Sequence, residues 1–264
     1  MNFIFLLCVF SQAVSVIQGI RDKVDNSRTR RTYRRRTVEV GVYVDKYLWK
    51  TMQRQVRGSD RTVESATHKM VRDLFTDAAV FFRKSSMSRN GGFDLKVNGV
   101  WIKKDNSDRD FSPIHYTNDQ SRQLYSFQKY AGLKNNPDDR RRDSYDINFL
   151  LTGSTSSEGM RGVAFANTVC HLDAAGLMNL YVSDGGKYDG VAPILLAHEL
   201  GHVMGAGKHD GERGEAENCK GKYIMTPSVG YDHTTWSYCS RNQIDRHMAK
   251  LEKDRHTKGN CFYV

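Results

Sequence analysis

The chain has 264 residues, of which 39% are hydrophobic and 11% aromatic, enough for one good-sized packed domain or two small ones. A formal charge of +10 draws it towards acidic partners: matrix glycans, anionic surfaces, acidic proteins or nucleic acid. No apolar run approaches the roughly 20 residues that a membrane-crossing helix needs, so no membrane span is expected.

Residues 1–19 read as a secretory signal, with a short apolar core from Phe3 to Phe10 and small residues at Ala13-Val14-Ser15. A secreted chain turns the basic charge away from nucleic acid and towards extracellular partners. Residues 20–36 are dense in arginine and bury nothing, so they are expected to be disordered, either a processing site at Arg28-Thr29-Arg30-Arg31 or a solvated basic tail. The remaining domain is 37–264. Loss of the signal removes Cys8 and leaves Cys170, Cys219, Cys239 and Cys261, an even set that suits two disulfides in any of three pairings.

Val38, Val40, Val42 and Val44 alternate as in a strand. Val63, Ala66, Met70, Leu74 and Phe81 recur at helical spacing and predict a helix over about 60–84. Phe93, Leu95 and Val97 alternate as a second strand. Residues 103–120 read as loop, Ser121 to Leu133 as helix, and Asn135 to Ser144 as loop again. Asp146 to Leu151, Gly162 to Val169 and Leu177 to Val182 read as strands. Glycines at 185, 186 and 190 then break the chain before a helix whose first turn holds Pro193. Past that helix little regular structure is expected until Ser240, which with Gln243 forms a capping box for a final helix over about 241–255. Strand and helix alternation predicts an α/β fold, a mixed sheet with helices packed on it, followed by a loop-rich part.

The third helix carries His198-Glu199-Leu200-Gly201-His202. Histidines at i and i+4 share one helical face and can reach one metal ion. Glu199 points to a neighbouring part of the same cleft, where it can take a proton from water activated by the metal. Gly205 permits the positive dihedral that ends a helix, and past it His209 can return to the ion as a third ligand. Three protein ligands leave the open position that catalytic zinc needs, and one zinc per chain is expected.

The string from His198 to Asp210 resembles the metzincin metalloproteases, specifically the reprolysin (adamalysin) branch of venoms, tick saliva and animal cell-surface proteases. Three residues rather than the family's two separate Gly205 from His209, so the family register would place Lys208 on the zinc. An ammonium has no lone pair, and a one-residue bulge that restores His209 is expected instead. The resemblance implies a twisted mixed-sheet upper subdomain and a small, disulfide-stapled lower subdomain ending in a helix. It implies Cys170–Cys261 and Cys219–Cys239 pairing, and a Met-turn at Met225 beneath the ligands. It also implies a substrate pocket walled by Pro227, Ser228 and Val229, with the strand Gly162-Val163-Ala164 pairing with extended substrate. Read on its own, that strand is equally an internal one. Glu39 and Asp146 fall where some relatives hold calcium. The function implied is a secreted, monomeric zinc endopeptidase that cleaves extracellular matrix or plasma proteins, with Glu199 as general base. The alternative is a basic binding protein in which the extra residue spoils the third ligand. His68, His115, His171, His233 and His247 lack ligand spacing and read as structural or surface groups.

Overall fold

The computed structural model describes residues 36–116, 119–156, 159–251, 253 and 261–262. The signal-like stretch, and all but Arg36 of the arginine-rich segment, lie outside the described residues.

Strand β1 (Arg36–Val44) is the first element and the second strand across the main sheet. Its valines are buried as their alternation predicts, but Glu39 and Tyr43 between them are buried too. A strand covered on both faces is the mark of a parallel sheet. The neighbours agree: β1 runs parallel to β2 (Phe93–Ile102) and to β3 (Ile147–Thr152), and β3 runs parallel to β5 (Ala175–Asn179). Among the described residues of this sheet, β4 (Gly162–Ala164) alone is antiparallel, pairing with β5. The order is β2-β1-β3-β5-β4, which places β4 at the edge. A two-stranded ribbon, β6 (Val182–Ser183) with β7 (Lys187–Tyr188), follows.

Helix α1 (Lys46–Val56) stands where the sequence reading has no element. Its signal is local: the Asp45 carboxylate accepts the Leu48 N–H at 2.8 Å as an N-cap, and Leu48, Trp49 and Met52 are buried on one face. Helix α2 (Asp60–Phe82) matches the predicted span, and the Ser59 side chain caps it. A short 3₁₀ turn, Ser112–Tyr116, lies in the stretch read as loop, and helix α3 (Gln120–Lys134) follows.

The sheet divides the core in two. One cluster joins Val38, Val40, Val42 and Phe149 to residues of α2 and of helix α4 (Ala192–Val203). The other joins Tyr43, Leu150 and Leu177 to Leu124, Phe127 and Tyr130 of α3. Helices therefore cover both faces, and α4 is held with every residue buried except His202.

Three expectations need correction. The strand predicted from Gly162 to Val169 ends at Ala164, because the chain then turns to the end of α4. There the N–H groups of Asn167, Thr168 and Val169 donate to the His202 and Val203 carbonyls at 3.0–3.1 Å. These are carbonyls that a helix terminus leaves without intrahelical partners. The next strand starts two residues early, at Ala175, where small residues are required: a Cβ on Gly176 would stand 2.8 Å from the Phe149 ring. The last helix, α5, spans Tyr238–Leu251. Its cap is Ser237, whose hydroxyl accepts the Ser240 N–H at 3.0 Å, so Ser240 lies inside the first turn and makes no capping box.

Candidate metal centre

Helix α4 begins at Ala192 with Pro193 in its first turn, and the Asp189 carboxylate accepts the Ala192 N–H at 2.8 Å, satisfying one of the orphan donors of that turn. Its apolar stripe, Leu196, Leu200 and Val203, goes into the core at no exposure. That burial, worth about 1.5–3 kcal/mol per large aliphatic side chain, fixes which way the helix is rotated. The opposite face then carries His198 and His202 into a cleft of about 550 Å³.

Each imidazole has its Nδ1 committed. His198 Nδ1 donates to the Ile224 carbonyl at 2.7 Å, and His202 Nδ1 donates to the Ala206 carbonyl at 2.7 Å. His209 Nδ1 meets the Glu212 carboxylate at 2.8 Å. A carbonyl can only accept, so the proton sits on Nδ1 and the lone pair is left on Nε2, the form a metal takes. Burial reinforces this by lowering the pKa of His198 to about 3 and of His202 to about 4.

The three Nε2 atoms converge. His202 Nε2 lies 3.2 Å from His198 Nε2 and 3.2 Å from His209 Nε2. Two nitrogens bound at 2.0–2.1 Å with a tetrahedral angle between them would be about 3.3 Å apart, so the donor set fits zinc in spacing and in chemistry. The extra residue is absorbed between helix and His209. Gly205 adopts φ +125°, Ala206 N–H reaches back to Gly201 O at 2.9 Å, and Gly207 N–H closes on Gly205 O at 3.0 Å. Lys208 is left exposed, its backbone N–H donating to Gln243 Oε1 at 3.0 Å.

Glu199 is buried beside the histidines, and desolvation raises its pKa to about 8. It packs against β4, where a Cβ on Gly162 would stand 2.3 Å from Glu199 Oε1; glycine is needed there for contact, not for backbone freedom. Beneath α4, Met225 is fully buried. A Cβ added to Gly201 would meet Met225 Sδ at 2.7 Å and the Trp236 ring at 2.7 Å, so helix and turn touch at a glycine. The cleft is closed by Gly162, Val163 and Ala164 on one side and includes Pro227, Ser228 and Val229 in its lining.

Two braces are not evident from spacing alone. Glu212, three residues beyond His209, orients its ring. Asp210 donates its N–H to Met225 O at 2.8 Å and accepts the Ser237 and Ser240 hydroxyls at 2.5 and 2.9 Å, tying the His209 turn to the methionine turn and to α5. The disulfides are Cys170–Cys261 and Cys219–Cys239. Glu39 and Asp146 lie apart from this cleft. Glu39 pairs with Lys96 at 2.8 Å, and Asp146 accepts the Glu39 N–H at 2.8 Å.

A family model described as Reprolysin_5, Metallo-peptidase family M12, matches residues 34–237. The protein "A disintegrin and metalloproteinase with thrombospondin motifs 7" of Rattus norvegicus is 30% identical over 165 residues, 59% of this chain and 10% of that protein. The related protein adt-1 of Caenorhabditis elegans is 26% identical over 235 residues, 86% of this chain and 15% of the relative. The chain thus spans a small part of the length of these relatives. A solved structure described as a chaperone-substrate complex aligns with TM-score 0.52 at 13% identity, covering 87% of this chain and 35% of that one, a likeness of fold.

Proposed function

Because the chain belongs to the reprolysin-type metallopeptidases of family M12, we propose that it is a secreted zinc-dependent endopeptidase acting on extracellular proteins, matrix or plasma proteins among them. The observation that carries this is the convergence of three Nε2 lone pairs, each fixed by a hydrogen bond at its own Nδ1.

His198, His202 and His209 hold the metal. Zinc bound there supplies a Lewis acid that activates water and polarises a peptide carbonyl. Glu199 is the general base: burial raises its carboxyl above the ordinary range and so makes it a stronger proton acceptor once ionised beside the metal. It accepts a proton from the attacking water and returns it to the leaving amine nitrogen. Gly162 lets that carboxyl press against β4. Strand β4 ends the sheet and pairs only with β5 among the described residues, so its outer edge offers backbone N–H and C=O groups to an extended peptide. Pro227, Ser228 and Val229 form the wall of the pocket for the side chain after the scissile bond. One chain supplies every group, and the enzyme acts as a monomer. Calcium has no part in this reading, since Lys96 already neutralises Glu39.

Elemental analysis of the folded, oxidised protein tests it. About one zinc per chain is expected, as a three-imidazole site holds one ion, with proteolysis lost on chelation. Glu199→Gln is expected to keep the zinc and lose activity by about 10²- to 10⁴-fold. Essentially no zinc in such a sample overturns the peptidase reading and leaves a basic binding protein in its place.

A further inference from the structure

Behind the turn that delivers His209 lies a second cavity, of about 470 Å³. Gly207 lines both this cavity and the metal cleft, so the turn is their common wall. The far side is α5. Gln243, Arg246, His247 and Lys250 stand at i, i+3, i+4 and i+7 on that helix, one stripe, and all four line the cavity. Lys208 and Asn167 complete the near side.

Gln243 is 4% exposed. Its Oε1 accepts the Lys208 N–H, which settles which end of the amide is oxygen and leaves Nε2 as a pure donor. That Nε2 is buried and has no acceptor, and His247 Nε2 is likewise buried without a partner among the described residues. Both belong to residues that line the cavity, so each is a polar group at its wall that the described residues leave without a partner. The charge of the wall says which kind of ligand suits them. Lys208, Arg246 and Lys250 bring three cations, and the acidic residue in the wall, Glu215, is ion-paired with Arg246. Residues with nitrogen-bearing side chains line the cavity from the helix on one side and from the Lys208 turn and Asn167 on the other. That suits a tetrahedral oxyanion, with acceptors on several sides, better than a flat carboxylate.

We propose that this cavity is a binding site for an oxyanion of the sulfate class, with Gln243 Nε2 as the buried donor and Lys208 and Lys250 as the neutralising cations. The source of the sulfate is either a free inorganic anion or a sulfate group on an acidic glycan chain running along the α5 stripe. The site stands on groups that the proposed peptidase chemistry does not use, and its occupancy is read without any activity.

Isothermal titration of the purified full chain at physiological ionic strength tests it, with three probes: inorganic sulfate, a sulfated oligosaccharide, and the same oligosaccharide desulfated. Binding of one anion per chain is expected, weakened about tenfold or more in Gln243→Met and in Lys250→Ala, each of which removes one charge-assisted contact. Lys50→Ala, which removes an exposed cation on α1, should leave it unchanged. Lys250 is exposed and its loss does not threaten folding, so the test stands even if Gln243→Met folds poorly. A sulfated oligosaccharide that outbinds inorganic sulfate, with the desulfated form inert, identifies the glycan as the source. Equal binding per sulfate identifies the free anion. Absence of stoichiometric binding, or binding that both variants leave intact, overturns the proposal.

Discussion

Between Arg36 and Asn179 the backbone is tied by ladders that run through β1, β3 and β5, whereas from Gly205 to Thr235 it has neither strand nor helix and is tied by single groups. In the first region side chains fill space on two faces of a sheet. In the second, each contact is particular: Ile224 O holds His198, Ala206 O holds His202, Glu212 holds His209, and Asp210 joins two turns and a helix. Helix α4 belongs to both, with its leucines in the sheet core and its imidazoles in the second region. The contrast teaches where tolerance lies. Space-filling contacts are many and partly exchangeable, but a backbone carbonyl that orients one imidazole has no substitute nearby.

The largest expected effect is in the sheet. Phe149 is fully buried and packs edge-on against Phe75, so Phe149→Ala should cost about 3–5 kcal/mol. Urea denaturation should show a lower midpoint, while the folded fraction keeps its full metal content. A staple in the other region is worth nearly as much. Cys219–Cys239 closes a separation of 20 residues, and replacing both with serine should cost about 3 kcal/mol on the loop-entropy account. Here the readout differs: limited proteolysis should cut within 211–236 before the sheet unfolds. Nicking that appears only at the global midpoint would merge the two regions into one cooperative unit. A smaller effect is expected at their junction. Gly201→Ala forces Met225 and Trp236 away from α4, for about 1–3 kcal/mol of overpacking. Because the displaced turn also carries the Ile224 carbonyl, metal affinity should fall along with stability. Affinity equal to that of the unmodified chain would show that the turn moves without the carbonyl.

The same division decides what could be read in advance. The valines of β1, the stripe of α2 and the His198 to His209 string each follow a period or a fixed offset, and the chain folds as they say. Helix α1 was equally legible, since Asp45 precedes Leu48, Trp49 and Met52 as a cap precedes a face. The end of β4 was not. Nothing in Phe165 to Val169 announces that three of its N–H groups will serve the carbonyls at the end of α4, a partnership set by tertiary contact. The shift of the α5 cap from Ser240 to Ser237 has a similar cause, because Asp210, 27 residues earlier in the chain, takes the hydroxyls of both. Offsets within a turn of helix are visible in sequence; offsets across a fold are not.

An effect that emerges only below neutral pH asks whether a histidine outside the metal cleft behaves as part of the sheet region. His115 is 3% exposed; its Nδ1 meets Asn106 Oδ1 at 2.9 Å and its Nε2 lies 3.5 Å from the Lys46 N–H. Both roles are met by one neutral tautomer, with Nδ1 donating and Nε2 accepting. Desolvation, with the Lys46 charge as a second cause, lowers its pKa to about 4. In the unfolded chain the same imidazole titrates near 6.5. Between these values the unfolded state binds more protons than the folded one, so stability must decline as pH falls from about 6.5 towards 4 and be restored as pH rises. Other buried histidines add to that slope, which is why the informative quantity is a difference. His115→Gln should flatten the pH dependence of the urea midpoint by up to about one proton across this window, with chelator present throughout so that metal release does not contribute. An unchanged slope would mean that His115 is protonated in the fold, and that the Lys46 N–H is held by something other than its ring.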